Sequence, residues 1–284
     1  MIVLKKVSKA YGRTQVLANV SFQIQPHEFV CITGPSGAGK STLMHLLIGA
    51  EDVTSGTVEV DGVDLRSVPP GPMQIYRRRV GVVFQDYKLL QHRTVAENVA
   101  FPLEVAGISD EVIAKRVPEV LKQMGLTRRA DALPRELSGG EKARTAMARA
   151  IVHKPMIILA DEPTGNVDPT QAAAILSLLR DINKEGTTVI LATHDAAMVN
   201  ALQTRVLRLE NGMVIRDSVG GYDHKKKTKE HADLPPASHE IFPEKVSAAT
   251  ASTEPKVNTH KRGPKGESDG GGKKKIKITS IGRD

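Results

Sequence analysis

Four short stretches of the chain carry almost only apolar or β-branched residues: Phe29-Val30-Cys31-Ile32-Thr33, Val80-Gly81-Val82-Val83-Phe84, Met156-Ile157-Ile158-Leu159-Ala160 and Thr188-Val189-Ile190-Leu191-Ala192. Runs of this kind, without polar alternation, are expected of strands covered on both faces, as in a parallel sheet. The first is followed at once by a Gly-rich turn and a helix-like segment, Ser41 to Ile48. Met1-Ile2-Val3-Leu4-Lys5-Lys6 places its charge after its apolar residues, which reads as a first strand rather than as a signal peptide. Thr57 to Val60, followed by Asp61-Gly62, predicts an antiparallel hairpin, and Asn211-Gly212 predicts another near Asp217. Between Thr94 and Ile151 the pattern turns helical, with Glu111 to Met124 and Glu141 to Ile151 rich in helix formers. The fold expected from these signals is α/β. It has a mostly parallel core sheet, an N-terminal antiparallel β-subdomain and a helical subdomain at about 94–151, all within residues 1–220.

Past Gly220 the composition changes. Lys225-Lys226-Lys227, Pro235-Pro236, Gly270-Gly271-Gly272 and Lys273-Lys274-Lys275 offer too little apolar surface to offset the entropy of ordering, so 221–284 is expected to be a basic, disordered tail. From Tyr222 onward there are 14 Lys and Arg against 9 Asp and Glu, so +5 of the net +8 lies in the tail and little of it on the folded body. The Lys clusters suit anionic lipid headgroups or an acidic protein surface, against the plainer reading of a solvated extension. No apolar run approaches the ~18 residues that span a bilayer, so a membrane role calls for a partner. Cys31 is the single cysteine; it forms no internal disulfide, and a reducing cytosol is the expected compartment.

Chemistry enters at Gly34-Pro35-Ser36-Gly37-Ala38-Gly39-Lys40-Ser41-Thr42, which fits G-x-x-x-x-G-K-[ST] between a strand and a helix. Glycines let successive N–H groups turn inward onto phosphate oxygens, and the helix adds its positive end. Lys40 is placed to bridge β- and γ-phosphates, and the Ser41 hydroxyl to ligate Mg²⁺. A second signal is Asp161-Glu162 at the end of an apolar strand. Beside such a loop, Asp161 suits the Mg²⁺ shell and Glu162 suits polarising an attacking water. His194 and Gln85 also end apolar strands, but each alone is an ordinary loop residue.

Leu137-Ser138-Gly139-Gly140-Glu141 decides the class. With the phosphate loop upstream of it, residues 1 to 217 resemble the ABC ATPase family. That resemblance implies ATP hydrolysis with Mg²⁺. It assigns Tyr11 to stack on adenine, Gln85 to touch the metal and sense the partner, Asp161 and Glu162 to the metal and the water, and His194 to the γ-phosphate. Asp168 falls in the loop Gly165-Asn166-Val167-Asp168 that follows. Ser138, Gly139, Gly140 and Glu141 form an anion site at a helix start, which in the family faces the γ-phosphate held by the opposite cassette. One chain carries one of each half-site, so a homodimer is implied.

The stretches Phe84-Gln85-Asp86-Tyr87-Lys88-Leu89-Leu90 and Arg93 to Phe101 are similar to the cell-division branch of the family. By that resemblance the partners are an FtsX-like integral membrane protein, which governs peptidoglycan hydrolases, and cytoskeletal division proteins, with no nucleic acid. Two copies would sit peripherally at the cytoplasmic face of the membrane, with Leu89 and Leu90 as candidate partner contacts. Lipoprotein-release and macrolide-export ATPases share many of the same residues and form the alternative. Two departures from the family pattern stand out: Lys142-Ala143-Arg144-Thr145 after the signature, and His27 where a turn glycine is usual.

Overall fold

The structure, a computed structural model, describes residues 1–165 and 167–222. Asn166 and the expected tail from residue 223 on lie outside the described residues, as does the whole of the second of the two units into which the chain divides, 252–284.

The chain opens with the long strands β1 (Ile2–Tyr11) and β2 (Thr14–Ile24), then β3 (Phe29–Thr33) and helix α1 (Lys40–Leu47). Strands β4 (Ser55–Val60) and β5 (Val63–Asp64) join β1 and β2 in a four-stranded antiparallel sheet of order β2-β1-β4-β5. Helix α2 (Pro70–Arg77) leads into β6 (Val80–Val83). Three helices follow, α3 (Val95–Val105), α4 (Asp110–Gln123) and α5 (Gly139–Ile151), all within the stretch read as helical. Then come β7 (Ile157–Asp161), α6 (Pro169–Lys184), β8 (Thr188–Ala192), α7 (Ala196–Leu202) and the hairpin β9 (Arg205–Glu210) with β10 (Met213–Val219). The second sheet runs β10-β9-β3-β8-β7-β6, parallel throughout except for the antiparallel β10 at its edge. Both predicted hairpins turn as their sequences demand. Asp61 and Gly62 have φ 48° and 79°, and Asn211 and Gly212 have φ 48° and 74°, the paired left-handed residues of a type I′ turn.

The central strands read as continuously apolar because alternate residues feed two different cores. Val30, Ile32, Ile157, Leu159, Ile190 and Ala192 point toward the antiparallel sheet and α1. Cys31, Ile158, Ala160, Val189 and Leu191 point toward the helices α3 to α7. Each fully buried Ile, Leu or Val contributes about 1.5–3 kcal/mol. Strand β7, which ends in Asp161, is therefore gripped from both faces. Among the described residues no helix is long and apolar enough to cross a membrane.

One buried cation ties the bottom of this sheet together. Arg205, 4% exposed on β9, donates to Asp217 at 2.6 and 2.7 Å, to Glu28 at 3.0 Å and to the Gln23 carbonyl at 2.8 Å. Removing one member of a buried ion set leaves the others uncompensated. Arg205→Met is expected to lower the unfolding free energy by about 3 kcal/mol, read from urea titration. A loss below about 1 kcal/mol would show that water already screens the trio. The His27 departure also finds its reason here: at φ 64° it sits where glycine is favoured. Its N–H donates to Thr188 Oγ1 at 2.9 Å, and its ring pairs with the Gly186 carbonyl, which offsets the strain.

Candidate nucleotide-binding site

The phosphate loop joins β3 to α1, so the parallel sheet fixes where it begins and the helix fixes where it ends. Two of its glycines are required by space as well as by backbone. A Cβ on Gly34, at φ 147°, would lie 2.1 Å from the Leu209 carbonyl, and one on Gly39, at φ 101°, would lie 2.6 Å from the Leu17 side chain. Between them Pro35, Ser36 and Gly37 are exposed, and Ala38 is buried against the core. Gly39 precedes α1, whose free N–H groups and positive end therefore open onto the loop. Lys40 is buried at 6% exposure, and its ammonium donates to the Gly34 and Pro35 carbonyls at 2.9 and 3.1 Å.

Glu162 stands at the centre of the remaining polar groups. Its Oε1 lies 3.7 Å from the Lys40 ammonium and 2.9 Å from His194 Nδ1, while its Oε2 accepts from Gln85 Nε2 at 3.4 Å. The Nδ1–H tautomer of His194 spans that separation as donor. Three loops after β6, β7 and β8 thus bring Gln85, Glu162 and His194 to one point at the carboxyl edge of the sheet, where α/β folds bind their ligands. Glu162 itself has φ 45°, left-handed for a residue with a Cβ. Such backbone costs of order 1–3 kcal/mol and persists where surroundings over-determine it, as at functional sites.

Asp161 is the last residue of β7. Burial raises its pKa above the ordinary carboxylate range; the Ser41 hydroxyl facing it pulls the other way. Its Oδ1 is buried without a hydrogen-bond partner. The Ser41 hydroxyl and the unsatisfied carboxylate oxygen are oxygen ligands that fit a small hard cation, with the neighbouring loop N–H groups left to hold the phosphates that would share it. Among the described residues no three acidic, His or Cys side chains cluster into a metal site of their own.

Tyr11 ends β1 and is 44% exposed, facing Thr42 on α1. Its hydroxyl donates to Glu51, and the Lys9 ammonium lies 4.9 Å from its ring centre. Glu51 also pairs with Lys9 at 3.0 Å. The family resemblance points to Tyr11 but not to Glu51, which holds the ring in place from a turn without motif character.

The signature residues are elsewhere on the surface. Ser138 is exposed and caps α5: its Oγ accepts from the Glu141 N–H at 3.3 Å, and Glu141 Oε2 accepts from the Ser138 N–H at 2.8 Å. That backbone bond, with Arg129 at 2.8 Å, holds the Glu141 pKa down. Gly140 is packed so closely that a Cβ would meet Gln171 Oε1 at 2.6 Å, and Arg144 donates to the same oxygen. Gln171 lies in the first turn of α6, where Asp168 accepts from the N–H groups of Thr170 and Gln171, both at 3.0 Å. Helix α5 packs on β6, α3, α4 and α6, whereas α1 packs on β7 and β2. The phosphate loop and the signature thus sit on separately packed helices.

Of the two leucines read as partner contacts, Leu89 is 8% exposed and belongs to the helical core, while Leu90 is half-buried.

Comparison with known proteins follows the same lines. The family model described as ABC transporter matches residues 17–165. The cell division ATP-binding protein FtsE of Streptococcus pneumoniae serotype 2 (strain D39) is 46% identical over 222 residues, covering 78% of this chain and 96% of that protein. Its counterparts in Bacillus subtilis (strain 168) and Escherichia coli (strain K12) are 45% and 44% identical, covering 78% and 75% of this chain and 100% and 96% of theirs. Among solved structures, the dimeric structure of MJ0796, a bacterial ABC transporter cassette, is 38% identical with a TM-score of 0.72. It covers 77% of this chain and 98% of that one. A dimeric post-hydrolysis state of MJ0796 bound to ADP and Pi is 37% identical, also with a TM-score of 0.72 and the same coverage.

Proposed function

The chain belongs to the ABC transporter ATPase family and hydrolyses ATP, and from that premise we propose that it powers cell division as the cytoplasmic half of an FtsE–FtsX-like membrane complex. The observation that carries the ATPase part is the convergence of Lys40, Gln85 and His194 on Glu162 beside the phosphate loop. In this reading Gly34 to Thr42 cradle the phosphates, with Lys40 leaving its two carbonyls for the β- and γ-oxygens, and Tyr11 stacks on the adenine. Glu162 takes the proton of the attacking water, His194 steadies that carboxylate and the departing γ-phosphate, and Gln85 orients the water from the other side. Ser41, Asp161 and Gln85 would hold Mg²⁺, which supplies charge neutralisation on the phosphate oxygens.

Ser138, Gly139, Gly140 and Glu141, with Asp168 nearby, complete the site of a second copy. The separate packing of α1 and α5 supports this, as does the dimeric form of the MJ0796 cassettes. ATP then joins two copies, and loss of the γ-phosphate parts them. Identity of 44–46% to FtsE proteins over nearly their full length supports the cell-division role over lipoprotein release or macrolide export. The cassettes would work peripherally at the cytoplasmic face of the membrane, moving an FtsX-like protein that controls peptidoglycan hydrolysis, with cytoskeletal division proteins as further partners. We assign residues 1–220, with a helical subdomain at about 94–151, to the ATP-binding domain, and 221–284 to an appended basic tail.

Affinity capture from a detergent extract tests the assignment. The expected companion is a polytopic membrane protein with four spans and a large extracellular loop. Recovery of ribosomes or DNA instead, or of a lipoprotein- or macrolide-handling membrane subunit, would reject it.

A further inference from the structure

Gln85 begins a loop held by a few turn hydrogen bonds of its own. No strand or helix forms between Gln85 and Thr94. Tyr87 and Lys88 both take left-handed backbone, φ 60° and 46°, which residues with a Cβ enter only under constraint. Tyr87 and Leu89 bury their side chains in the helical core, although the Tyr87 hydroxyl has no hydrogen-bond partner there.

The constraint comes from two helices. Asn98 on α3, fully buried, accepts from the Leu90 N–H at 2.8 Å and donates to the carbonyls of Leu90, Arg93 and Thr94 at 3.1, 3.0 and 2.9 Å. Arg149, in the last turn of α5, donates to the Lys88 and Tyr87 carbonyls, each at 2.7 Å. Its hydrogen-bond partners among the described residues are these carbonyls, with no carboxylate, although burial lowers its pKa. A half-buried guanidinium without a carboxylate partner is a costly way to fasten a loop. What it adds is a rigid planar fork whose separate N–H groups hold two successive carbonyls in a fixed geometry, where a lysine offers rotatable donors on a flexible stem.

At its other end α5 starts at the signature, capped by Ser138. Eleven residues separate Ser138 from Arg149, about 16 Å of helix. We propose that Arg149 is a positioning residue that fastens the Gln85 loop to the signature helix, so that seating Ser138 on a nucleotide and setting Gln85 against Glu162 are one movement. This rests on the reading that the signature meets the partner copy's ATP.

The test compares full-length wild type with Arg149→Lys and Arg149→Ala. In both folded variants hydrogen–deuterium exchange at residues 86–93 is expected to quicken about tenfold, with the phosphate loop unchanged; equal exchange at 86–93 would overturn the proposal. Turnover should show kcat down at least tenfold and KM for ATP within twofold of wild type, and millimolar guanidinium should partly restore Arg149→Ala. A kcat within twofold of wild type, or a KM that rises as far as kcat falls, would also overturn it. Should Arg149→Ala fail to fold, Arg149→Lys decides by the same exchange and kinetic criteria. Absence of turnover in wild type would count against the ATPase reading instead, and the exchange result would still decide the clamp.

Discussion

Glu162→Gln is expected to cut ATP turnover by at least a hundredfold while leaving ATP bound and two copies locked together. The substitution keeps the size of the side chain and one carbonyl oxygen to accept from either His194 or Gln85, but removes the negative charge and the ability to take a proton. General-base catalysis is worth about 10²–10⁴-fold, and the Lys40 ammonium would lose a carboxylate 3.7 Å away. In the proposed reading nucleotide affinity comes chiefly from the loop N–H groups and Tyr11, which the change leaves in place. Phosphate release measures the first effect, and light scattering with ATP and Mg²⁺ measures the second. Turnover within threefold of wild type would take the base away from Glu162.

The second large effect comes from mixing two inactive proteins. Lys40→Ala disables the phosphate loop and Ser138→Arg blocks the signature, so each homodimer has two broken sites. A heterodimer of the two pairs one intact loop with one intact signature. If copies exchange freely, half the dimers are mixed and each carries one working site, so turnover should recover to about a quarter of wild type. The isologous pairing predicts that recovery rises and falls with the product of the two concentrations. A mixture no faster than its separate components would remove the shared-site geometry on which the proposed dimer rests.

Much of this was visible in the residues because the relevant physics is local. A strand, a glycine turn and a helix cap are written in adjacent positions, so the loop at 34–42, the strand end at Asp161 and both Asx-Gly hairpins could be placed directly. Helix α2 was not foreseen. Its opening Pro70-Gly71-Pro72 reads as a loop, yet prolines in a first turn lack only N–H groups that would be unpaired there anyway. Convergence was the other hidden quantity. Gln85, Glu162 and His194 gain meaning only when parallel strands β6, β7 and β8 end side by side, a relation spanning more than a hundred residues. Glu51, Asn98 and Arg149 were missed for a related reason: each acts through backbone or through another side chain. A buried amide in the apolar face of α3 was the one trace of Asn98 in the pattern.

The packing of Gly140 under Gln171 removes a degree of freedom. Gly140 leaves room for the Gln171 amide against the start of α5, and Arg144 donates to the same amide oxygen, so the tips of α5 and α6 are joined through one side chain. A movement of the first turn of α6 therefore reaches the signature end of α5 through Gln171. An alanine at 140 would push the flexible end of Gln171 aside and loosen that joint.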